Sequence, residues 1–384
     1  MSDRPVSGLG WTVAAAGLGL AVLGVRLGWV EAASAGAVLL AALAVAAALT
    51  VGRSTYAVEL ELSGRRVRVG ERAVGRIAVR NTSGRRLLPA RVELPVGRGS
   101  ADFPLPSLGP GDRHEDVFAV PTSRRGVVVV GPVRSVRGDP WGLVRRRLDW
   151  TDPVDLYVHP LTHPLPGAAQ GALRDLEGQA TRVVSDSDLA FHALREYVPG
   201  DDRRTIHWKA TARHGDLMVR QFEDTRRSHT AVALATDPDG YADADELELA
   251  ISVVASLGVA ALRDEREVTV LAGGEPLRAG TPQRLLDDCA SLAPAPGQPG
   301  PADLAAWVRR QVPHASVAIL VVGSVPTPAE LRAYASAVPA GTRTLVLACD
   351  RSAPTGVRTA GTTTLARVAA LGDLPRTLRA AVAA

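Results

Sequence analysis

The chain has 384 residues, of which 46% are hydrophobic and 4% aromatic, so two or three units with aliphatic cores are expected. Its formal charge of +4 comes from arginines spread as short pairs and triplets. They do not form the basic stripe with interleaved aromatics that is typical of nucleic-acid binding. The two cysteines, Cys289 and Cys349, lie far apart beside apolar residues, which indicates a reducing compartment and no disulfide framework.

Two apolar stretches begin the chain, at about residues 9–29 and 32–51. Twenty helical residues at about 1.5 Å each cross the roughly 30 Å hydrocarbon layer of a bilayer. The first stretch reaches this length by including Arg26, whose long side chain can extend to the headgroups, and Trp29 in the connector suits the interface. Residues 1–53 are therefore predicted to form a transmembrane helical hairpin. A cleaved signal peptide is the alternative, but a second apolar run follows at once.

The arginines that flank this hairpin predict its orientation. A hairpin places both of its ends on one side of the membrane. Four arginines follow the second helix within about 20 residues, whereas the connector holds one arginine and one glutamate. The four are Arg53, Arg65, Arg66 and Arg68. The positive-inside rule then predicts a two-helix protein of the cell membrane with the bulk of the chain in the cytoplasm.

From residue 54 to 160 the hydrophobic period changes to two. Val58, Leu60 and Leu62 alternate with two glutamates, and turn signals recur along the segment. Several short alternating strands of this kind predict an antiparallel β-sandwich domain. Residues 161–190 then mix proline, glycine and alanine without a period, which indicates a linker.

Residues 229–384 alternate strand and helix patterns and are predicted to form an α/β domain. Four apolar runs of strand length carry this prediction: 229–236, 267–273, 315–323 and 342–349. Such alternation gives a parallel sheet covered on both faces. Asp243 and Glu246 have capping-box spacing at the start of the first helix. Ligands in such sheets bind outside the carboxyl ends of the strands, so loop 235–243 is where chemistry is expected.

Between these units, residues 191–228 hold the only lysine of the chain, Lys209, among acids, arginines, two histidines and a tryptophan. A turn, a short helix beginning after Asp202 and a strand are predicted. The segment offers every general acid-base type: Glu196, Asp201, Asp202, His207, Lys209 and His214. It has no nucleophile elbow, phosphate loop or zinc-ligand spacing.

The composition of residues 191–228 suits a structural core and docking surface better than catalysis, because arginines and carboxylates can form bidentate bonds beside a buried Trp208. A ligand- or nucleotide-sensing pocket and a catalytic site remain alternatives. An enzyme is expected to place His207 or Lys209 in an open cleft against Asp201 or Glu196. A scaffold is expected instead to bury Trp208 and to pair its arginines with carboxylates. The arginines in question are Arg213 and Arg220.

This segment resembles the hallmark of the bacterial domain of unknown function 58 family, which pairs membrane helices with a β unit. The resemblance covers nearly the whole chain, including residues 124–146. The positions that match the hallmark, and that we take as signature and docking residues, are Arg195, Glu196, Tyr197, Pro199, Gly200, Asp201, Ile206, Trp208, Lys209, Arg213, Arg220, Phe222 and Glu223.

Membership of that family implies a von Willebrand factor A-like domain of Rossmann type at the C-terminus, without an established enzymatic activity. It also implies a functional link to a MoxR-type AAA+ ATPase. Domains of this type often bind a divalent metal through Asp-x-Ser-x-Ser after the first strand.

Here the leading aspartate of that metal motif is replaced by Ala235. Asp237 and Asp239 stand one step along without the serine pair, and Tyr241 lies where a hydroxyl ligand would be. The prediction is a turn and helix start with no metal and no cofactor. Shifted ligation of Mg²⁺ by Asp237 and Asp239 is the alternative.

Taken together, the sequence predicts a membrane-anchored, non-enzymatic scaffold. It is expected to dock protein partners, by resemblance a MoxR-type AAA+ ATPase, in cell-envelope assembly or remodelling. The alternatives are a membrane-bound hydrolase that uses the acid and histidine groups of residues 195–223, and a metal-dependent adhesion-type binding module.

Overall fold

The computed structural model describes residues 7–50, 56–87, 89–138, 141–166, 184–185, 190–199, 201–223, 229–339, 342–360 and 363–384. The chain divides into two compact units, Met1–Val158 and His159–Ala384. Each unit has its own hydrophobic core.

The first unit begins with two antiparallel helices, α1 (Gly8–Leu27) and α2 (Val30–Thr50). Ser7 caps α1 by accepting a hydrogen bond from the amide of Gly10 at 3.0 Å, and Gly28 ends the helix with a φ of 73°. Both helices are long and apolar enough to cross a membrane, as expected from the sequence. They fit a membrane-associated protein.

Small residues allow α1 and α2 to approach backbone to backbone. A Cβ atom on Gly24 would lie 2.3 Å from the backbone nitrogen of Ala33, and one on Gly36 would lie 2.5 Å from that of Ala21. In lipid no hydrophobic force drives two helices together. They associate instead by close backbone packing at small residues. The hairpin therefore depends on these glycines, whereas Gly19 on α1 faces open space.

Gly36→Leu is expected to separate the two helices and lower the melting temperature of the detergent-solubilised protein, because its side chain meets backbone that cannot move aside. Gly19→Leu is the matched control. It adds the same side chain to open space and gains helix propensity, so its melting temperature should stay unchanged or rise. Equal melting temperatures for both variants would contradict the interface.

Ten strands among the described residues follow in the first unit. They are β1 (Tyr56–Leu62), β2 (Arg66–Arg68), β3 (Ala73–Asn81), β4 (Ala90–Val96), β5 (Gly99–Leu105), β6 (Arg113–Val120), β7 (Gly126–Val130), β8 (Arg134–Gly138), β9 (Arg145–Asp149) and β10 (Val154–His159). One sheet has the order β1-β3-β6, and the other has the order β2-β10-β7-β4-β8-β9 with β5 paired to β4. The pairings that are given in register are antiparallel. Both sheets contribute side chains to one core.

The alternation predicted from the sequence decides which face of β3 is buried. Ile77 and Val79 are buried in the core, whereas Arg76 lies on the partly exposed face. There Arg76 contacts Glu61 of β1 at 2.5 Å and Glu115 of β6 at 3.2 Å. The arginine thus bridges both neighbouring strands, as opposite charges across a sheet do.

The second unit begins with an extended segment that packs on its own α/β core. His159 Nε2 lies 2.8 Å from Oδ1 of Asp287, the amide of His163 donates to Ser256 Oγ at 3.0 Å, and Leu165 is buried. Most of the linker expected at 161–190 lies outside the described residues.

A small antiparallel sheet follows in the order β11-β13-β12, made of β11 (Val184–Ser185), β12 (Ala190–Glu196) and β13 (Met218–Glu223). Between β12 and β13 lie a 3₁₀ turn (Arg203–Thr205) and the helix α3 (Trp208–His214). The sequence predicts one helix after Asp202, but the chain forms these two pieces, because Ile206 pairs in a β-bridge with Val219.

The remaining chain forms a mixed sheet with helices. Its strands are β14 (His229–Leu234), β15 (Glu267–Ala272), β16 (Glu275–Pro276), β17 (Val317–Val322), β18 (Arg343–Cys349), β19 (Gly356–Ala360) and β20 (Thr363–Val368). Its helices are α4 (Ala244–Arg263), α5 (Pro282–Ser291), α6 (Leu304–Gln311), α7 (Pro328–Ala335) and α8 (Leu374–Ala383). The order β16-β15-β14-β17-β18-β20-β19 has parallel pairs inside and antiparallel pairs at both edges. All four predicted strands are present, and the sequence analysis missed β19, β20 and α8.

Candidate functional site

The signature segment is built on the pairing of β12 with β13. Arg195 lies opposite Val219 and Glu196 opposite Met218, and the amide of Tyr197 continues the ladder by donating to the carbonyl of Leu217 at 2.8 Å. The chain between the two strands therefore leaves and returns at a fixed point. Its hallmark residues lie on or beside this frame.

A bidentate ion pair closes the first turn of the segment. Arg195 donates from Nη1 to Oδ2 of Asp201 at 2.6 Å and from Nη2 to Oδ1 at 2.7 Å. The amide of Val198 donates to the same carboxylate at 2.9 Å. The Asp201 side chain is only 15% exposed, and Arg195 and the Val198 amide together hold its pKa below the usual value. Two parallel N–H to oxygen bonds fix orientation as well as distance, so the turn is locked to β12.

His207, one of the two histidines of the segment, caps a helix. His207 Nδ1 accepts a hydrogen bond from the amide of Ala210 at 3.0 Å, at the N-terminus of α3. Its own amide donates to the carbonyl of Met218 at 2.7 Å, and Thr211 Oγ1 accepts from the amide of Met218 at 3.0 Å. Both bonds attach the first half of α3 to Met218 of β13.

Three signature residues of α3 are exposed, and for Trp208 this differs from the sequence prediction. Trp208 is 68% exposed, so the expectation that it is buried is wrong. Lys209 and Arg213 are exposed as well, and neither makes a hydrogen bond or ion pair with any residue that the structure describes. The pairing of Arg213 with a carboxylate stays a prediction. A short amphipathic helix can turn its tryptophan either way, and the sequence does not decide which.

The remaining signature residues lie on β12, on β13 and in the chain between them. Gly200 lies outside the described residues, and for Arg220, Phe222 and Glu223 only the strand positions on β13 are described. Ile206 is buried as a core residue, whereas Glu196 and Pro199 are exposed.

The groups that an acid-base mechanism needs do not meet within the described residues. No hydrogen bond joins His207 or Lys209 to Asp201 or Glu196 there. Asp201 is engaged by Arg195 and Val198, and the Nδ1 atom of His207 is engaged by Ala210. The polar atoms of this segment that face inward serve the fold.

The loop after β14 uses its acids as caps. Asp237 Oδ1 accepts from the amide of Asp239 at 3.1 Å and starts a short 3₁₀ turn. Tyr241 donates its hydroxyl to the carbonyl of Ala235 at 2.6 Å, and burial raises its pKa well above the usual value. Among the described residues no group of three His, Cys, Asp or Glu could hold a metal ion. These side-chain roles agree with the predicted turn and helix start.

A buried glutamate closes the crevice between β14 and β17, where ligands of open α/β sheets usually bind. Glu246 is 3% exposed and accepts hydrogen bonds from the amide and the hydroxyl of Ser324 at 2.7 and 3.0 Å. A Cβ on Gly323 would lie 2.3 Å from the carbonyl oxygen of Gly240 and 2.6 Å from the ring of Tyr241. The two loops thus touch directly at Gly323.

Sequence analysis did not identify Glu246 as a residue of this site. Asp243 caps α4 as its spacing predicts, by accepting from the amide of Glu246 at 2.7 Å. The reciprocal bond of a capping box is absent in this described part, because the Glu246 carboxylate accepts from Ala242 at 3.3 Å and from Ser324. Apart from its capping-box spacing, nothing in the sequence distinguishes Glu246 from Asp245 and Glu248, which lie beside it at the start of α4.

A cleft of about 470 Å³ lies one strand further along, beside the carboxyl ends of β17 and β18. Its polar lining includes Ser324, Thr327, Asp350, Arg358 and Arg367. Burial alone would raise the pKa of Asp350, but hydrogen bonds from Ser352 and the charge of Arg367, 3.3 Å away, hold it below its usual value. The described lining holds no histidine, cysteine or lysine. It therefore offers no general base beyond a carboxylate that is already paired.

The fold and the site define a membrane-associated protein with a mixed α/β unit and a fixed polar signature segment. Residues 193–355 match the family model described as "Protein of unknown function DUF58", which supports the resemblance carried by the signature residues. No curated protein matches the chain.

Similar solved structures cover parts of the chain only. The CARDB domain of a Pyrococcus furiosus protein, in complex with di-metal ions, is 17% identical over 27% of this chain and 93% of its own, with a TM-score of 0.21. The C-terminal domain of wzt is 11% identical over 28% and 75%, with a TM-score of 0.21. Pseudomonas fluorescens alkylpurine DNA glycosylase AlkC is 16% identical over 36% and 42%, with a TM-score of 0.21. Similarity at this level carries no argument about the fold or the function.

Asp201→Asn is expected to loosen the turn that follows β12, because a neutral amide cannot accept both guanidinium N–H groups as a charged pair. Amide hydrogen exchange at Val198 should become faster. Asp202→Asn is the matched control, since asparagine caps a helical turn as well as aspartate does and exchange should stay unchanged. In the unmodified protein, a depressed pKa means that this stabilisation is present above about pH 4 and is lost as the pH falls through the folded-state pKa. Equal exchange in both variants would contradict the clamp.

Glu246→Ala is expected to lower the free energy of unfolding by about 3 kcal/mol, because two amides and a hydroxyl lose a buried, charged acceptor. Urea unfolding followed by circular dichroism measures the change. Asp245→Ala, on the same helical turn but 70% exposed and paired only with Arg351 at the surface, should change it by less than about 1 kcal/mol. Similar effects of the two substitutions would rule out the closure.

Proposed function

We propose that this protein is a membrane-anchored, non-enzymatic scaffold whose signature segment docks a protein partner. A buried Trp208 was the expected sign of a scaffold and is not found. The observation that carries the docking proposal is instead the exposure of Trp208, at 68%, on a helix that His207 and Thr211 attach to Met218 of β13. Two further arguments support the proposal. One is the set of hydrogen bonds that hold this segment in place, and the other is the composition of the side chains that it exposes.

The fixed part supports docking because it removes flexibility before binding. Arg195 and Asp201 lock the first turn, and His207 holds the start of α3. A surface that is already ordered loses less conformational entropy when a partner binds. A charged network that is satisfied internally also leaves no reactive pair for turnover, which favours a scaffold over a hydrolase.

The presented part has the composition of a binding hot spot. Tryptophan is enriched among residues that dominate interface energies, since it buries a large area and can still donate a hydrogen bond. Lys209 and Arg213 flank it on the same short helix and are exposed. A partner surface with an apolar pocket and an acidic rim would complement this arrangement.

The location and the partner follow from the sequence patterns and the resemblance. We place the hairpin in the cell membrane and the bulk of the chain in the cytoplasm, where an AAA+ ATPase can reach it. We propose a β-sandwich for the β1–β10 region and a von Willebrand A-like domain for the C-terminal sheet. The partner we expect is a MoxR-type AAA+ ATPase, in cell-envelope assembly or remodelling. The proposal includes no cofactor, since Asp237 and Glu246 are engaged by the fold.

Trp208→Ala and Lys209→Ala are expected to abolish co-purification of a MoxR-type ATPase from membranes, with an unchanged circular dichroism spectrum, because both side chains are exposed. Val325→Ala is the matched control. This apolar residue is 56% exposed on the α/β unit and should leave co-purification intact. An equal yield of the ATPase with Trp208→Ala and with the unmodified protein would count against docking through this surface.

A further inference from the structure

A loop of the β unit contacts the end of the helical hairpin. The backbone amide of Ser7, just before α1, donates to the carbonyl of Leu143 at 2.9 Å, and the Ser7 hydroxyl donates to the carbonyl of Gly142 at 2.7 Å. Residues 141–144, which directly precede β9, are thus tied to the start of α1. We call residues 141–144 the interface loop.

The apolar part of the interface loop packs on the sides of the two helices. Leu143 and Val144 are buried in a cluster with Ala46 of α2, against which Val13 of α1 and Leu43 of α2 also pack. Ala46 lies four residues before the end of α2 and Val13 five residues after the start of α1, which is about 6 to 8 Å along the helix axes. The loop therefore reaches beyond the helix ends, toward the apolar depth of the hairpin.

Exposed tryptophans mark where the membrane interfaces fall on this hairpin. Trp11 and Trp29 are each 60% exposed, and the stretch from Trp11 to the end of α1 at Leu27 spans about 24 Å of helix, most of the thickness of the hydrocarbon layer. Indole rings prefer the headgroup level, so the pair indicates one interface at each end. Trp11 marks the end at which the interface loop lies, and Trp141 of that loop is 54% exposed there.

We propose that the interface loop is a third membrane contact of this protein, with Trp141 in the headgroup region and Leu143 and Val144 sealing the loop against the helices. The ligand of this surface is the lipid interface itself. The inference rests on the membrane-spanning hairpin of the proposed function and extends it. The β unit then contacts the bilayer at the β9 edge of its larger sheet.

The strand register identifies a position that should stay in water. β8 runs toward the interface loop, and its antiparallel neighbour β4 runs away from it, since Glu93 pairs with Arg134 and Arg91 with Val136. Arg98 is exposed in the turn after β4, which ends at Val96, five residues or about 17 Å of strand beyond Arg91.

Site-directed spin labelling tests the proposal on the full chain in phosphatidylcholine and phosphatidylglycerol vesicles. Trp141→Cys, Arg98→Cys and Leu18→Cys each take one nitroxide, because the natural cysteines Cys289 and Cys349 are buried. Relaxation by oxygen, which partitions into lipid, is compared with relaxation by a water-soluble nickel chelate. We expect the oxygen-to-nickel ratio at Trp141→Cys to be several-fold above that at Arg98→Cys and to approach that at Leu18→Cys, in the middle of α1.

Two outcomes would overturn the inference, and they differ in what else they remove. A ratio at Trp141→Cys equal to that at Arg98→Cys, with a high ratio at Leu18→Cys, places the loop in water while the hairpin stays in the membrane. A low ratio at Leu18→Cys as well would also remove the membrane-spanning hairpin, and with it the anchoring part of the proposed function.

Discussion

The pair of hydrogen bonds between Arg195 and Asp201 decides what the signature segment can do. The Asp201 carboxylate serves as a structural acceptor, and the hydrogen bonds from Arg195 hold its pKa below the usual value. His207 is used in the same way as a helix cap. With these groups engaged, Trp208, Lys209 and Arg213 are among the side chains that the segment exposes.

The α/β unit also uses a carboxylate as a structural acceptor at the position where a ligand site was expected. Open sheets of this kind bind ligands in the crevice at the carboxyl ends of adjacent strands. Here Glu246 occupies that crevice with bonds to Ser324, and Gly323 allows the backbone of the neighbouring loop to come into direct contact. A buried carboxylate is stable only when its oxygens are satisfied in this way. The two places where chemistry was most expected are therefore both filled by the protein's own hydrogen bonds.

Local patterns in the sequence were enough to predict the elements but not their long-range contacts. The hairpin, the period-two face of Ile77 and Val79 and four buried strands follow from hydrophobic periodicity, and the structure has them. The cap at Asp243 follows from spacing, whereas the bond from Ser324 to Glu246 spans 78 residues and leaves no local signal. Trp208 was misplaced because hydrophobicity favours burial, and a helix of seven residues is too short for periodicity to decide its facing. The edge strand β19 and its neighbour β20 were missed because their alternating polar residues weaken the apolar run.

The central claim is that the signature segment forms an ordered surface that binds another protein. Photo-crosslinking in intact cells tests it most directly, with p-benzoylphenylalanine placed at position 208 and, for comparison, at the exposed position 325. The account predicts a single defined adduct with the MoxR-type ATPase from position 208 and none from position 325. An absence of any protein adduct at position 208, while the variant stays folded in the membrane, would contradict it.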